Sequence, residues 1–295
     1  MLHATRTPEI LGKLFTGWPP QAVLLDAAWP ARHDRDVTTP TAIVLVVGGD
    51  GQHGIGAAPE VPAGAVVVAA DSGLHLAVAL GLAVDHVVGD LDSVDPAVLE
   101  AAEAAGATVH RHPADKDATD SALAVDLVLD LAAAATATAA AGTGSAGTDG
   151  AAVTLLVLGR GGGRLDHLLA DLLALAAPSL AGLEVTARLG PATVTVVRPG
   201  RPRSITGRTG EQVSLLPVHG RVRGVTTSGL RWALVDADLV AGTTRAVSNE
   251  LMRPAAEVAL GEGVLLVVQP GTLAAPIDQR LTPYDPTPLD PLDRT

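Results

Sequence analysis

The stretch from Val66 to Ser93, VVVAADSGLHLAVALGLAVDHVVGDLDS, constrains the fold of this chain more than any other. It opens on the apolar run Val66–Ala70, too short for a helix and rich in β-branched residues. That is the pattern of a strand buried on both faces. Asp71, Ser72 and Gly73 follow where the strand should end. A helical apolar pattern then runs from Leu74 to about Leu80 and stops at Gly81, a natural C-terminal cap. A second short run, His86–Val88, delivers Gly89-Asp90-Leu91-Asp92-Ser93 to its own carboxyl end. Two neighbouring strands therefore present acids at their C-terminal tips, where open α/β sheets bind ligands. One Asp there would mean no more than a turn. Three carboxylates, those of Asp71, Asp90 and Asp92, repel one another unless a cation lies among them, and oxygen ligands of this kind suit Mg²⁺.

The same grammar recurs along the first half of the chain. Ala42–Val47 reads as a strand emptying into Gly48-Gly49-Asp50-Gly51, a loop whose backbone could approach phosphate closely. Thr108–His110 is a short strand leading to Asp115-Lys116-Asp117-Ala118-Thr119-Asp120, and a helix over Ser121–Ala135 follows. Thr119 or Asp120 is placed to cap that helix. Capping needs one such residue, yet three Asp, a Thr and a Lys fall within six positions. Lysine occurs in this chain only here and at Lys13. The strand Val153–Leu158 gives way to glycines, to Arg164, Asp166 and His167, and to a helix reaching about Ala176. Glycines opening onto a helix N-terminus are a usual setting for anion binding.

Beyond Pro178 the texture changes to short β-rich runs, including Glu184–Leu189, Gln212–Pro217, Leu234–Val235 and Gly263–Val268, separated by Gly and Pro. The expected architecture is an α/β domain over 41–180 with a mostly parallel, Rossmann-like sheet, then an all-β domain over 183–269 resembling a sandwich or barrel. Residues 1–40 read as an N-terminal extension, and 136–150 (TATAAAGTGSAGTDG) as a flexible surface insertion. The Pro- and Asp-rich tail over 270–295 reads as disordered.

Aromatics make up only 2% of the chain, so Trp232, alone between Trp29 and Tyr284, stands out. Its polar neighbours Thr226–Arg231 suit a ligand-stacking face as well as core filling. The net charge of −12 and the lack of a basic stripe argue against nucleic acid or anionic membrane as partner. The chain has no cysteine, which excludes disulfides and thiolate metal sites. No apolar run in the sequence suggests a membrane span, and nothing at the N-terminus resembles a secretory signal. A cytoplasmic protein is the expectation.

Five motifs together resemble one family, the thiamine pyrophosphokinases. They are Ala70-Asp71-Ser72-Gly73, Gly89-Asp90-Leu91-Asp92-Ser93, Lys116-Asp117-Ala118-Thr119-Asp120, Gly163-Arg164-Leu165-Asp166-His167, and Thr226–Trp232 with Val247-Ser248-Asn249 downstream. Ser72 departs from the family pattern, which has a second glycine there. The resemblance implies transfer of the pyrophosphoryl group of ATP to the hydroxyethyl oxygen of thiamine, with Mg²⁺ as cofactor. It assigns Asp71, Asp90, Asp92 and Asp120 to catalysis, the first three of them also to the metal. Ser93, Lys116, Asp117, Thr119, Arg164, Asp166 and His167 fall to ATP, and Trp232, Ser248 and Asn249 to thiamine. It further implies a homodimer whose active sites are shared, with Trp232 arriving from the partner. Alternatives are a pyrophosphokinase of another alcohol such as a hydroxymethyl-pterin, a non-catalytic nucleotide-binding protein, and a metal-dependent phosphohydrolase.

Overall fold

The computed structural model describes residues 40–49, 60–115, 117–142, 152–162 and 164–271. Lys116, residues 1–39 of the expected extension and the tail from 272 lie outside them. Five strands, β1 (Ala42–Val46), β2 (Val66–Ala70), β3 (His86–Gly89), β4 (Thr108–Arg111) and β5 (Thr154–Gly159), pair in parallel in the order β4-β3-β2-β1-β5. Every residue of β1 and β2 is buried, as their unbroken apolar runs require when helices cover both faces. On one face Val44, Val46 and Val67 pack with Leu74 and Leu76 of α1 (Gly73–Ala79) and Val98 and Leu99 of α2 (Pro96–Ala104). On the other, Ile43, Leu45 and Val68 pack with Ala124, Val128 and Ala132 of α3 (Asp120–Gly142), and a last helix, α4 (Leu165–Ala174), follows β5.

Strands are added outward from β1 to β4, and α3 then carries the chain back to the other side of β1. The loops leaving β1 and β5 therefore diverge, opening the crevice where doubly wound sheets hold ligands.

Helix α3 corrects two expectations. It continues through Thr136–Gly142, residues read from the sequence as insertion, so only 143–150 remain of that segment, and these lie outside the described residues. Alanine is the best helix former, and the Thr136 and Thr138 hydroxyls donate to the Ala132 and Ala134 carbonyls 2.9 Å away, back-bonding that a helix tolerates. Its Asp120–Thr138 portion is also long and apolar enough by composition to cross a bilayer, which the sequence reading had denied to any stretch. Ala124, Val128, Ala132 and Ala135 form one stripe buried against the sheet, while only 22% of the apolar span is buried.

The second half does not begin where composition changes. After a 3₁₀ turn at Pro178–Gly182, β6 (Glu184–Leu189) pairs in parallel with β5 and so extends the first sheet. Pairing turns antiparallel from β7 (Ala192–Val197) onward, through β13 (Glu262–Gln269), β9 (Gln212–Ser228), β12 (Ala255–Ala259) and β8 (Arg203–Thr206). Two short strands, β10 (Ala237–Val240) and β11 (Asn249–Glu250), attach to β9. Leu234–Val235 lies in the turn before β10 and is not strand. Strand β9 is long enough to serve two layers. It bends at His219-Gly220, both at positive φ; β13 pairs with it up to Val218 and again at Arg223 across a register shift, and β12 pairs with it from Thr226 on. Val197, Ile205, Leu215, Val225, Leu251 and Leu265 fill the space between the layers, giving the expected sandwich-like half.

Candidate active site

The acids collect at the carboxyl ends of β2 and β3. Ligand oxygens of Asp71, Asp90 and Asp92 lie within 4.8 Å of one another. Asp71 ends β2 with φ 45°, and Leu91, between the other two acids, has φ 65°. Asp tolerates this region, but for the branched Leu91 it is costly and persists where the surroundings over-determine it. Asp120 joins the group from the start of α3, its Oδ1 accepting from the Asp90 N–H at 3.2 Å. Gly89 makes this approach possible. At φ 151° a side chain there would press on Asp120 Oδ1 and Asp71 Cβ. The loop is tied internally as well: the Asp92 N–H donates to Asp90 Oδ1 (3.3 Å) and the Ser93 hydroxyl to Asp92 Oδ1 (2.9 Å).

Burial, then the charges of Asp120, Asp90 and Asp92, push the Asp71 carboxyl above its ordinary range, against an opposing hydrogen bond from the Ser72 backbone. Asp71 Oδ1 is also buried with no hydrogen-bond partner among the described residues. Ser72 is accommodated because its hydroxyl lies where a Cβ on Gly48 would stand.

Two residues that the sequence reading passed over belong here. His75, on α1, accepts at Nε2 from the Asp95 N–H (3.1 Å), and Asp95 caps α2 through Ala97 N–H (2.8 Å). Together they fix the C-terminal end of the loop carrying Asp90 and Asp92, whose start Asp120 holds. Burial holds the His75 imidazole below its usual range, favouring the neutral form that accepts from the Asp95 N–H. Arg160 follows β5 in the switch-point crevice, its Cβ 3.5 Å from where a side chain on Gly49 would begin. Burial lowers its pKa, and its charge is felt at His75. The one signal for Arg160 was an arginine among the glycines of Gly159-Arg160-Gly161-Gly162, four residues before Arg164.

The remaining expected residues divide into groups. Thr119 caps α3, its hydroxyl accepting from the Ala122 N–H at 3.2 Å, and Asp117 is exposed beside it. Arg164 and Asp166 pair at 2.6 Å at the start of α4, both exposed, which holds the Asp166 carboxyl down at about 2; His167 is exposed next to them. Trp232, Ser248 and Asn249 form a separate cluster on β11 and its neighbouring turns, whose strand partner β9 lies in the β half. Trp232 is 55% exposed, and the Arg231 guanidinium lies 5.0 Å from its ring centroid, itself held by Glu250 at 3.0 Å. Ser248 is exposed, its N–H donating to Ser214 Oγ (3.0 Å). Asn249 is turned inward instead. Its amide accepts from Trp232 N–H (3.1 Å) and donates to Trp232 C=O (2.9 Å), clamping the turn that presents the indole.

Two family models match the chain. Thiamin pyrophosphokinase, catalytic domain, covers residues 61–187, and Thiamin pyrophosphokinase, vitamin B1 binding domain, covers 202–265. Thiamine pyrophosphokinase of Bacillus subtilis (strain 168) is 21% identical over 202 residues, 68% of this chain and 86% of that protein. The crystal structure of the Bacillus subtilis enzyme superposes with a TM-score of 0.62 at 20% identity, over 79% of this chain and 100% of that one. A thiamin pyrophosphokinase family protein from Enterococcus faecalis gives 0.59 at 22%, over 79% and 99%. Yeast thiamin pyrophosphokinase gives 0.53 at 15%, over 84% and 89%. At these identities the structural likeness speaks for the fold alone.

Proposed function

Since this chain belongs to the thiamin pyrophosphokinase family, with both of its domains matched, we propose that it transfers the pyrophosphoryl group of ATP to thiamine, giving thiamine diphosphate and AMP in the cytoplasm. The observation that carries this reading is the acid cluster at the tips of β2 and β3, beside the crevice between the β1 and β5 loops. Its chemistry fits Mg²⁺: three carboxylates share one small volume, and the buried Asp71 Oδ1 has no partner among the described residues. Asp71, Asp90 and Asp92 would hold the ion, which when bound offsets charge on the phosphate oxygens.

The chain's own groups do the rest. Gly48 and Gly49 allow backbone to approach the polyphosphate, and Arg160 and Arg164 supply positive charge on either side of it. Asp120 keeps the Asp90 loop in place through the Asp90 N–H. We assign Asp117, Thr119, Ser93, Asp166 and His167 to the nucleotide, and Lys116 with them from the sequence alone. The thiamine hydroxyl oxygen attacks the β-phosphorus in line, the bond from that phosphorus to the α,β-bridging oxygen breaks, and AMP departs. The hydroxyl proton passes to solvent, since a loose transition state asks little of a base. Trp232 and Ser248 receive thiamine, and the cationic thiazolium stacks on the indole face opposite Arg231. Because that cluster stands in the β half, we place it against the acids of a second copy in a homodimer.

Purified protein incubated with ATP, Mg²⁺ and thiamine should yield thiamine diphosphate and AMP in equal amounts by chromatography. Release of ADP, or turnover only with a hydroxymethyl-pterin acceptor, would overturn the assignment.

A further inference from the structure

A second concavity, of about 850 Å³, lies where the two halves share their sheet. Register explains why it is polar. On the face covered by α1 and α2, β5 contributes Leu156 and Leu158, which sit beside Thr186 and Arg188 of β6, and these beside Thr195 and Thr193 of β7. Val267 and Gln269 of β13 continue the two rows. Val267 already belongs to the core of the β half and Leu158 to that of the α/β half. Between two apolar cores on one face, the sheet is thus paved with hydroxyls, an arginine and an amide. The turn from Gly207 to Gln212 forms the opposite wall, braced by Glu211, which accepts from Arg208 N–H (3.0 Å) and lies 3.4 Å from Gln269 Nε2.

Charge makes the floor selective. Arg203 is engaged, with Glu184 at 3.3 Å and Thr186 Oγ1 at 3.1 Å. Arg188 is not satisfied in the same way: its Nε is buried with no hydrogen-bond partner among the described residues. A guanidinium N–H out of water without an acceptor is costly, and it is matched best by an oxyanion. Arg208 stands at the exposed rim of the same cleft. Three arginines there outnumber the two acids, Glu184 and Glu211, in a chain whose net charge is −12. None of the residues assigned above to the reaction lines this cleft, and β6 is three strand spacings, roughly 14 Å, from β2.

We propose that this cleft is a second binding site, for a small phosphorylated metabolite whose phosphate oxygens meet Arg188 and Arg208 and whose hydroxyls meet the threonine floor. Pockets of this size at domain junctions commonly hold such ligands.

The test is calorimetric titration of the full chain with inorganic phosphate and, separately, ribose 5-phosphate. Arg188→Gln should weaken binding at least about tenfold, the loss of one charge-assisted hydrogen bond, while Arg164→Gln at the reaction site leaves it within about twofold. Tighter binding of ribose 5-phosphate than of phosphate identifies the ligand as a sugar ester, and equal binding identifies free phosphate. If Arg188→Gln fails to fold, Arg208→Gln at the rim serves instead, with about threefold weakening expected. Equal affinity of both probes for parent and variant overturns the proposal. So does sensitivity to Arg164→Gln alone, or no binding to the parent up to about 10 mM.

Discussion

Asp71 combines a left-handed backbone, a buried oxygen without a partner among the described residues, and three acidic neighbours. Its pKa is raised on folding, so the folded chain binds that proton more tightly than the unfolded chain does. The associated stability is present below the unfolded pKa near 3.8 and is lost as pH rises through the folded one. Without metal at neutral pH, Asp71→Asn should therefore melt no lower than the parent, and its advantage should vanish toward pH 3.8. Mg²⁺ should raise the parent's Tm and leave that of Asp71→Asn nearly unchanged, while turnover of the variant falls by orders of magnitude. Scanning fluorimetry across pH, with and without MgCl₂, checks this; a Mg²⁺ response that survives in the variant would remove Asp71 from the ion. Trp232 poses the complementary case. At 55% exposure its truncation should cost only a few degrees of Tm yet raise KM for thiamine about tenfold, leaving KM for ATP unchanged. Asn249→Ala should instead lower stability by about 1–3 kcal/mol, because it strands the Trp232 backbone groups, and should loosen thiamine binding through that turn. Trp232 was legible in the sequence as an isolated aromatic in a polar turn. The inward orientation of Asn249 was not, since its partner lies 17 residues away and only the folded chain brings them together.

Among elements, the strands and helices that build the site were readable because each combines an apolar run with a stop signal, as at Gly81 and Gly106. Where no period exists, legibility fails. The second half of α3 carries no polar stripe to mark a face, so its Ala and Thr residues read as low complexity although they are helical through Gly142. Likewise the alternation in β6 (Glu184, Thr186 and Arg188 against Val185, Ala187 and Leu189) signals a strand but not which neighbour it joins. Replacing residues 143–150 by a short Gly-Ser turn is expected to shift Tm by no more than a few degrees and to preserve activity. Val128→Ala, in the seam between α3 and the sheet, should cost about 2 kcal/mol. Thermal melts of the two variants side by side separate the helix that packs from the residues that follow it.

For the molecule as a whole, the homodimer proposed above, with each site completed by a second copy, has its own test. Mixing the inactive variants Asp92→Asn and Trp232→Ala should regenerate activity, because some hybrid dimers then carry one intact site. Hybrids that demonstrably form yet stay inactive would confine each site to one chain. The unbroken strand path predicts that both halves unfold together, in one transition by calorimetry and by circular dichroism.

That shared ribbon of hydrogen bonds also decides how the molecule can move and be taken apart. Because β6 is zipped to β5 on one side and to β7 on the other, the β half cannot swing on a hinge like a lid on a box. A chain cut between 187 and 202, where the two family matches separate, would leave each fragment with a raw strand edge, inviting stray partners. Neither half is a cassette that could be lent to another scaffold.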